Sequence, residues 1–206
     1  TTDANAISAI NALPFVQNTS SVAAREVRGA KNKFPQEGKP LLNSAARPGQ
    51  TESDYFNYGA SSLAEIRLHK GEFLHNVGLR GQGMQIAMLD GGYFNYTSLK
   101  AFDSINANAQ VLSTWDFVAG NASVVEDHPH GMQCFSIIGA NIPGQFIGKA
   151  PKAGFHLFRT EDVATEFPVE EFNWACGAER ADSAGSDIIS SSLGYGYAFS
   201  DPVPDY

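Results

Sequence analysis

A carboxylate closing an apolar run and an imidazole followed by glycine stand 40 residues apart, in Ile86-Ala87-Met88-Leu89-Asp90-Gly91-Gly92 and in His128-Pro129-His130-Gly131-Met132. A carboxylate so placed can hold a histidine in one tautomer and stabilise the imidazolium formed when the ring takes a proton. Together Asp90 and His130 look like two of the three groups of a Ser/His/Asp triad, with His130 expected as general base. No serine after His130 stands in a setting that suits a nucleophile.

Each group has a plainer alternative. An aspartate after a strand commonly caps a turn or the next helix. His128 is a second possible base, but it precedes Pro129 and lacks the glycine and helix that follow His130. His69, His75 and His156 hold ordinary positions in helix, loop and strand. Cys134 lies four residues past His130 and suggests Cys/His chemistry. It and Cys176 nevertheless sit in apolar helical surroundings and read as buried structural thiols. Glu126, Asp127, His128 and His130 are metal-ligand types crowded on a loop without a fixed helical spacing, so no metal is assigned. No cofactor is expected. The glycines of Gly78-Leu79-Arg80-Gly81-Gln82-Gly83 precede a strand instead of following one, which excludes a dinucleotide loop.

The elements that must position these groups follow from the apolar pattern. Continuous apolar runs of strand length occur at Met84 to Leu89, Val111 to Phe117, Phe155 to Phe158 and Ile188 to Ser191, as in buried parallel strands. Helical stretches at Gly131 to Ala140 and Val169 to Ala184 alternate with them. The second carries Phe172, Ala175, Cys176 and Ala178 as its apolar positions. Ser61-Ser62 is expected to cap a helix through Leu68, with a second turn of helix through Phe73, Leu74 and Val77. Alternation of strand and helix predicts an α/β fold, a parallel sheet with helices on both faces and functional groups at the carboxyl ends of the strands. Asp90 is at such an end.

Residues 3 to 17 read as a helix, Asp3 to Leu13, capped by Thr2 or Asp3, then a strand-like Phe15-Val16-Gln17. From Ser20 to about Thr51 no periodicity persists, and an exposed connector is expected. The chain divides into residues 1–50, an N-terminal extension, and residues 51–206, the main body. Its 206 residues, 43% hydrophobic and 17% charged, suit one globular core. A net charge of -8 disfavours nucleic acid and anionic lipid as partners. No apolar stretch approaches the ~20 residues of a membrane span. The start, Thr1-Thr2-Asp3, lacks the order of a signal peptide, so a processed or trimmed product is expected. Two cysteines imply no disulfide framework and leave the compartment open.

Five segments then match one family in order. Gly81 to Gly92 resembles the aspartate segment of the subtilisin-like serine proteases, the subtilases, and His130-Gly131-Met132-Gln133-Cys134 is similar to their histidine segment. Gly148-Lys149-Ala150-Pro151-Lys152-Ala153 resembles the Gly-x-Ala-Pro-x-Ala that precedes a strand. Asn173-Trp174-Ala175 resembles the helix before the substrate strand, and Asp187-Ile188-Ile189-Ser190-Ser191-Ser192-Leu193-Gly194 resembles Asp-Val-Ile-Asn-x-Ser-Leu-Gly. The resemblance spans residues 55 to 197, and its flavour is that of secreted bacterial subtilases, those of the Bacteroidetes in particular. It implies endopeptidase activity on protein or peptide substrates, secretion or a periplasmic or cell-surface location, and a substrate strand held by Ser192, Leu193 and Gly194. The stretch Asp162 to Thr165 would form the opposite edge. Glu161, Asp162 and Glu166 would then favour basic side chains on the substrate. Leu13-Pro14-Phe15-Val16 resembles the end of a subtilase propeptide, against the alternative of an ordinary extension.

Three substitutions depart from the family pattern: Gly91 where Ser or Thr is commonest, Ser190 for Asn, and a bulky Phe135 where a small residue is usual. The family's serine segment and its oxyanion asparagine come later in family order than Ser192-Leu193-Gly194. The fold is accordingly expected to be incomplete in this chain and completed by a C-terminal fragment of the same precursor, after cleavage in the Tyr197 to Tyr206 loop. This chain alone is expected to be inert. A noncatalytic subtilase-like module that binds peptide or protein is the alternative.

Overall fold

The computed structural model describes residues 4–19, 54–126, 128–165 and 167–195. The connector from Ser20 to Thr51, the Thr2 or Asp3 cap, Asp127, Glu166 and the Tyr197 to Tyr206 loop lie outside the described residues. A four-stranded parallel sheet is built from β1 (Gln85–Asp90), β2 (Val111–Asp116), β5 (Gly154–Arg159) and β6 (Ile188–Ser191), in the order β2-β5-β1-β6. The central pair runs in register from Gln85 opposite Gly154 to Asp90 opposite Arg159. All four strands coincide with the runs expected from the sequence, but only the central pair, β1 and β5, is buried on both faces and needs no polar alternation; β6, at one edge, is largely exposed, against the expectation of a buried strand.

The side-chain period of two sorts the sheet into two cores. Ile86, Met88, Phe155 and Leu157 pack with Phe135 of α5 (His130–Gly139). Ala87, Leu89 and Phe158 pack with Ala181, Trp174 and Ala178 of α6 (Val169–Ser183). Helices thus cover both faces, and the α/β architecture expected from the sequence is the one observed. Around this body lie α1 (Ala4–Asn11), α2 (Gly59–Leu68), α3 (Gly71–Asn76), α4 (Asp103–Ala107) and a hairpin of β3 (Asn141–Ile142) and β4 (Phe146–Ile147).

Several local expectations fail for identifiable reasons. Phe15-Val16-Gln17 forms no strand; Phe15 is exposed and has no neighbouring strand to pair with among the described residues. Helix α2 starts before Ser61-Ser62, so neither serine caps it. Ser62 is buried, its Oγ donating to Tyr58 C=O at 2.7 Å and accepting from Ile147 N at 3.0 Å, which ties α2 to β4. In α6 the inward face is Glu170, Trp174, Gly177, Ala178 and Ala181, not the stripe containing Phe172 and Cys176. Gly177 decides this: a Cβ there would stand 2.9 Å from Thr160 Cγ2 and 3.2 Å from Leu89, so this helix face lies close on the sheet. Cys176 is consequently exposed and is not a core thiol, whereas Cys134 is half-buried against the core. The 3₁₀ turn Lys100–Phe102 and α4 carry no sequence signal of their own, yet they accommodate the bulky Phe135. Its ring stacks on Phe102 at 4.5 Å and meets Phe155 edge-on at 4.7 Å.

Two buried histidines knit elements together as neutral rings. His75 Nε2 donates to Lys149 C=O at 2.8 Å while Nδ1 accepts from the Tyr58 hydroxyl at 2.8 Å. His156 donates from Nε2 to Gln85 Oε1 at 2.9 Å and accepts at Nδ1 from Ser113 Oγ at 2.7 Å, joining β1, β5 and β2. Burial first, then Arg80 for His75 and Arg180 for His156, pushes both pKa values below the ordinary histidine value. The unfolded chain therefore takes up these protons first as pH falls through about 6.5. Stability from both rings is fully present above that pH and declines below it, until the lower folded pKa values are reached. The urea midpoint is expected to fall between pH 7.5 and 5. His156→Gln, which has no titrating ring, should make that fall shallower.

Candidate active site

Asp90 is the last residue of β1 and His130 the first of α5. The two meet: His130 Nδ1 lies 2.7 Å from Asp90 Oδ1, which also accepts from Gly91 N at 2.7 Å. A carboxylate oxygen only accepts, so the ring hydrogen is on Nδ1 and Nε2 is the basic nitrogen. The main chain of Asp90 is held as well, its carbonyl accepting from Thr160 N at 3.0 Å. The Asp90 side chain retains 2% exposure and that of His130 10%, so the pair is shielded while the imidazole keeps an edge toward solvent.

The His-Gly dipeptide has a steric cause. A Cβ on residue 131 would stand 2.5 Å from Gly92 C=O and 2.8 Å from Asp90 Cβ, so only glycine lets α5 begin against the end of β1. Tyr93, which sequence reasoning missed, buttresses the same corner. It is fully buried, and its hydroxyl donates to Met88 C=O at 2.7 Å with Phe158 C=O at 3.3 Å. Burial and the nearby Asp90 hold that phenol well above its ordinary pKa, so it stays a donor. His128, the other candidate base, accepts at Nδ1 from His130 N at 3.2 Å. Burial and the neighbouring His130 lower its pKa, which keeps that nitrogen an acceptor.

Cys134 comes round one helical turn after His130, and ligand atoms of Asp90, His130 and Cys134 all lie within 4.8 Å of one another. Carboxylate, imidazole and thiolate are zinc-ligand types, and the i, i+4 spacing of His130 and Cys134 is the sequence signal for the grouping. Two ligand atoms on one tetrahedral zinc stand roughly 3.3 Å apart, from bonds of about 2.0 Å. The 2.7 Å His130–Asp90 separation is instead that of a charge-assisted hydrogen bond, so this pair does not fit an ion as it stands.

The residues expected to bind substrate lie on the same rim. Because β1, β5 and β6 run parallel as neighbours, Asp90, the stretch after Arg159 and the stretch after Ser191 all emerge at one end of the sheet. Ser192 and Gly194 are exposed and Leu193 half-buried. The Asp162 carboxylate accepts from Ala164 N and Thr165 Oγ1, each at 3.1 Å, and its Oδ1 stands 4.0 Å from Arg159 Nη2. Glu161 is fully buried and accepts from the Tyr195 hydroxyl, so it does not present an acid to solvent. Sequence reasoning also missed a buried ion pair here: Arg159 Nη1 donates to Asp116 Oδ2 at 2.9 Å, joining the ends of β5 and β2.

No family model matches the sequence, and no curated protein does. Solved structures do match. MycP1 from the ESX-1 type VII secretion system superposes on 90% of this chain with a TM-score of 0.53 at 18% identity, using 50% of its own length. The fold is shared with MycP1. A structure of the serine protease MycP1, an essential component of that secretion system, gives a TM-score of 0.47 at 20% identity over 84% of this chain and 49% of its own. The MycP3 protease from the type VII (ESX-3) secretion system gives 0.48 at 20% identity over 71% of this chain and 38% of its own. The chain thus spans half or less of the length of these three structures. At such identities the likeness is one of fold, and MycP1 shares the parallel sheet with helices described above.

Proposed function

We propose that this chain is the Asp/His portion of a serine endopeptidase of subtilase type, with the nucleophilic serine on a C-terminal segment. The observation that carries this reading is the 2.7 Å contact between His130 Nδ1 and Asp90 Oδ1 at the carboxyl rim of a parallel sheet. Asp90 orients the ring and stabilises the imidazolium. Through Nε2, His130 takes the proton of the serine hydroxyl as it attacks the peptide carbonyl, then gives that proton to the leaving amine. An extended substrate peptide lies between Asp162 on one side and Ser192, Leu193 and Gly194 on the other. The protein is secreted, periplasmic or cell-surface and acts after processing. No helix among the described residues is long and apolar enough to cross a membrane.

Exposed apolar surface supports a C-terminal segment. β6 is an edge strand with Ile188 and Ile189 exposed by 52% and 41%, and α6 bears a second apolar stripe of Val169, Phe172 and Cys176 turned from the sheet. A helix apolar on two sides belongs inside a larger body, and an uncovered strand edge invites a further strand. The C-terminal part of the same precursor fills both places, either continuous with residue 206 or as a companion held noncovalently. Residues 51–206 are then the first part of the catalytic domain and residues 1–50 an N-terminal extension.

The test compares the 206-residue chain with the precursor that includes its downstream segment, on fluorogenic casein. The longer form is expected to cleave and the 206-residue chain to be inert, since this reading puts the serine nucleophile and the oxyanion donor on the downstream segment. A longer form that binds peptides by fluorescence anisotropy without cleaving them would make this a noncatalytic binding module. Cleavage by the 206-residue chain would overturn the placement of the nucleophile.

A further inference from the structure

The two edges of the proposed substrate cleft are joined by one side chain. Tyr195 immediately follows Ser192-Leu193-Gly194, and its hydroxyl meets Glu161 Oε1, with Glu170 C=O in the first turn of α6 at 3.4 Å. One hydroxyl hydrogen serves mainly the closer partner, the Glu161 carboxylate. Glu161 is fixed in turn: the Nε of Arg159 donates to its carbonyl at 3.2 Å, and Arg159 is paired with Asp116. Asp116 is itself saturated, its Oδ1 accepting from Val118 N and Ala119 N at 2.8 Å each. A chain of contacts therefore runs from the end of β2 through the end of β5 to the stretch after β6.

That stretch has little else to hold it. No backbone–backbone hydrogen bond joins residues 192–195 to other described residues, and no atom of the described residues lies within 4 Å of the place a Cβ on Gly194 would occupy. On its upstream side the anchor is Trp174 Nε1 donating to Ser191 Oγ at 2.9 Å. Burial and the Glu161 carboxylate hold the Tyr195 phenol far above its ordinary pKa, so the hydroxyl is a donor throughout the working pH range.

We infer that Tyr195 is a positioning residue: its hydrogen bond to Glu161, next to Asp162, sets the separation of the 162–165 and 192–194 edges, between which an extended substrate is gripped. This rests on the protease reading above. A substrate reaching across both edges should depend on the tie, whereas a small ester that engages the serine alone should not.

The test is Tyr195→Phe in the complete protein, which keeps the ring and removes the hydroxyl. A hydrogen bond to a charged group corresponds to a change of about tenfold or more. KM for a peptide with four residues before the cut is expected to rise by roughly tenfold. The kcat on a single-residue ester and the labelling rate by a fluorophosphonate should stay near wild type. Glu161→Gln, which retains an acceptor for Tyr195, should lose less than Glu161→Leu. An unchanged peptide KM, or equal losses on peptide and ester, would overturn the tie while leaving the protease reading intact. Failure of the wild-type protein to be labelled at all would overturn that reading and this inference together.

Discussion

Replacing His130 by alanine in the complete protein is expected to lower kcat by roughly a million-fold, about what removal of the base costs where serine and histidine act as a unit. Without the imidazole nothing receives the serine proton, and a neutral hydroxyl is a poor nucleophile. The substitution falls at the first residue of α5, whose placement depends on Gly131 and Phe135, and both remain. KM should therefore move little, while the unfolding midpoint should fall because the buried Asp90 carboxylate loses its partner at 2.7 Å; steady-state kinetics beside urea titration will separate chemistry from folding.

Asp90→Ala is the second large effect, with an expected loss in kcat of about ten-thousand-fold. The loss is smaller because the base itself stays. What disappears is the acceptor at 2.7 Å that keeps the hydrogen on Nδ1 of His130 and the charge that stabilises the imidazolium. Gly91 N loses its acceptor too, in a corner where Asp90 is 1% exposed. A drop in stability of about 1–3 kcal/mol should accompany the kinetic loss, the cost of the buried Gly91 N left unmet, since the His130 ring can move its hydrogen to the solvent edge. Measuring kcat and the unfolding midpoint on the same preparation checks both parts.

The sheet was legible because its strands are short continuous apolar runs, and Asp90 and His130 because each ends or begins an element beside glycines. Such signals are local. The face of α6 was not legible: Phe172 and Cys176 compete with Trp174, Ala178 and Ala181 for the inward side, and contact between Gly177 and Thr160 decides the matter. Nor were Asp116 with Arg159, 43 residues apart, or Glu161 with Tyr195, 34 apart, since no spacing rule links side chains that meet only through the order β2-β5-β1-β6. The run Ile188 to Ser191 is a strand as its residues predict, but its exposure and its place at the sheet edge beside β1 follow from strand order.

The most direct measurement is fluorophosphonate labelling of the complete protein, with the modified residue mapped by mass spectrometry. The account predicts one labelled serine, downstream of Gly194, whose labelling is abolished by His130→Ala. Absence of label, or label that persists undiminished without His130, would contradict it.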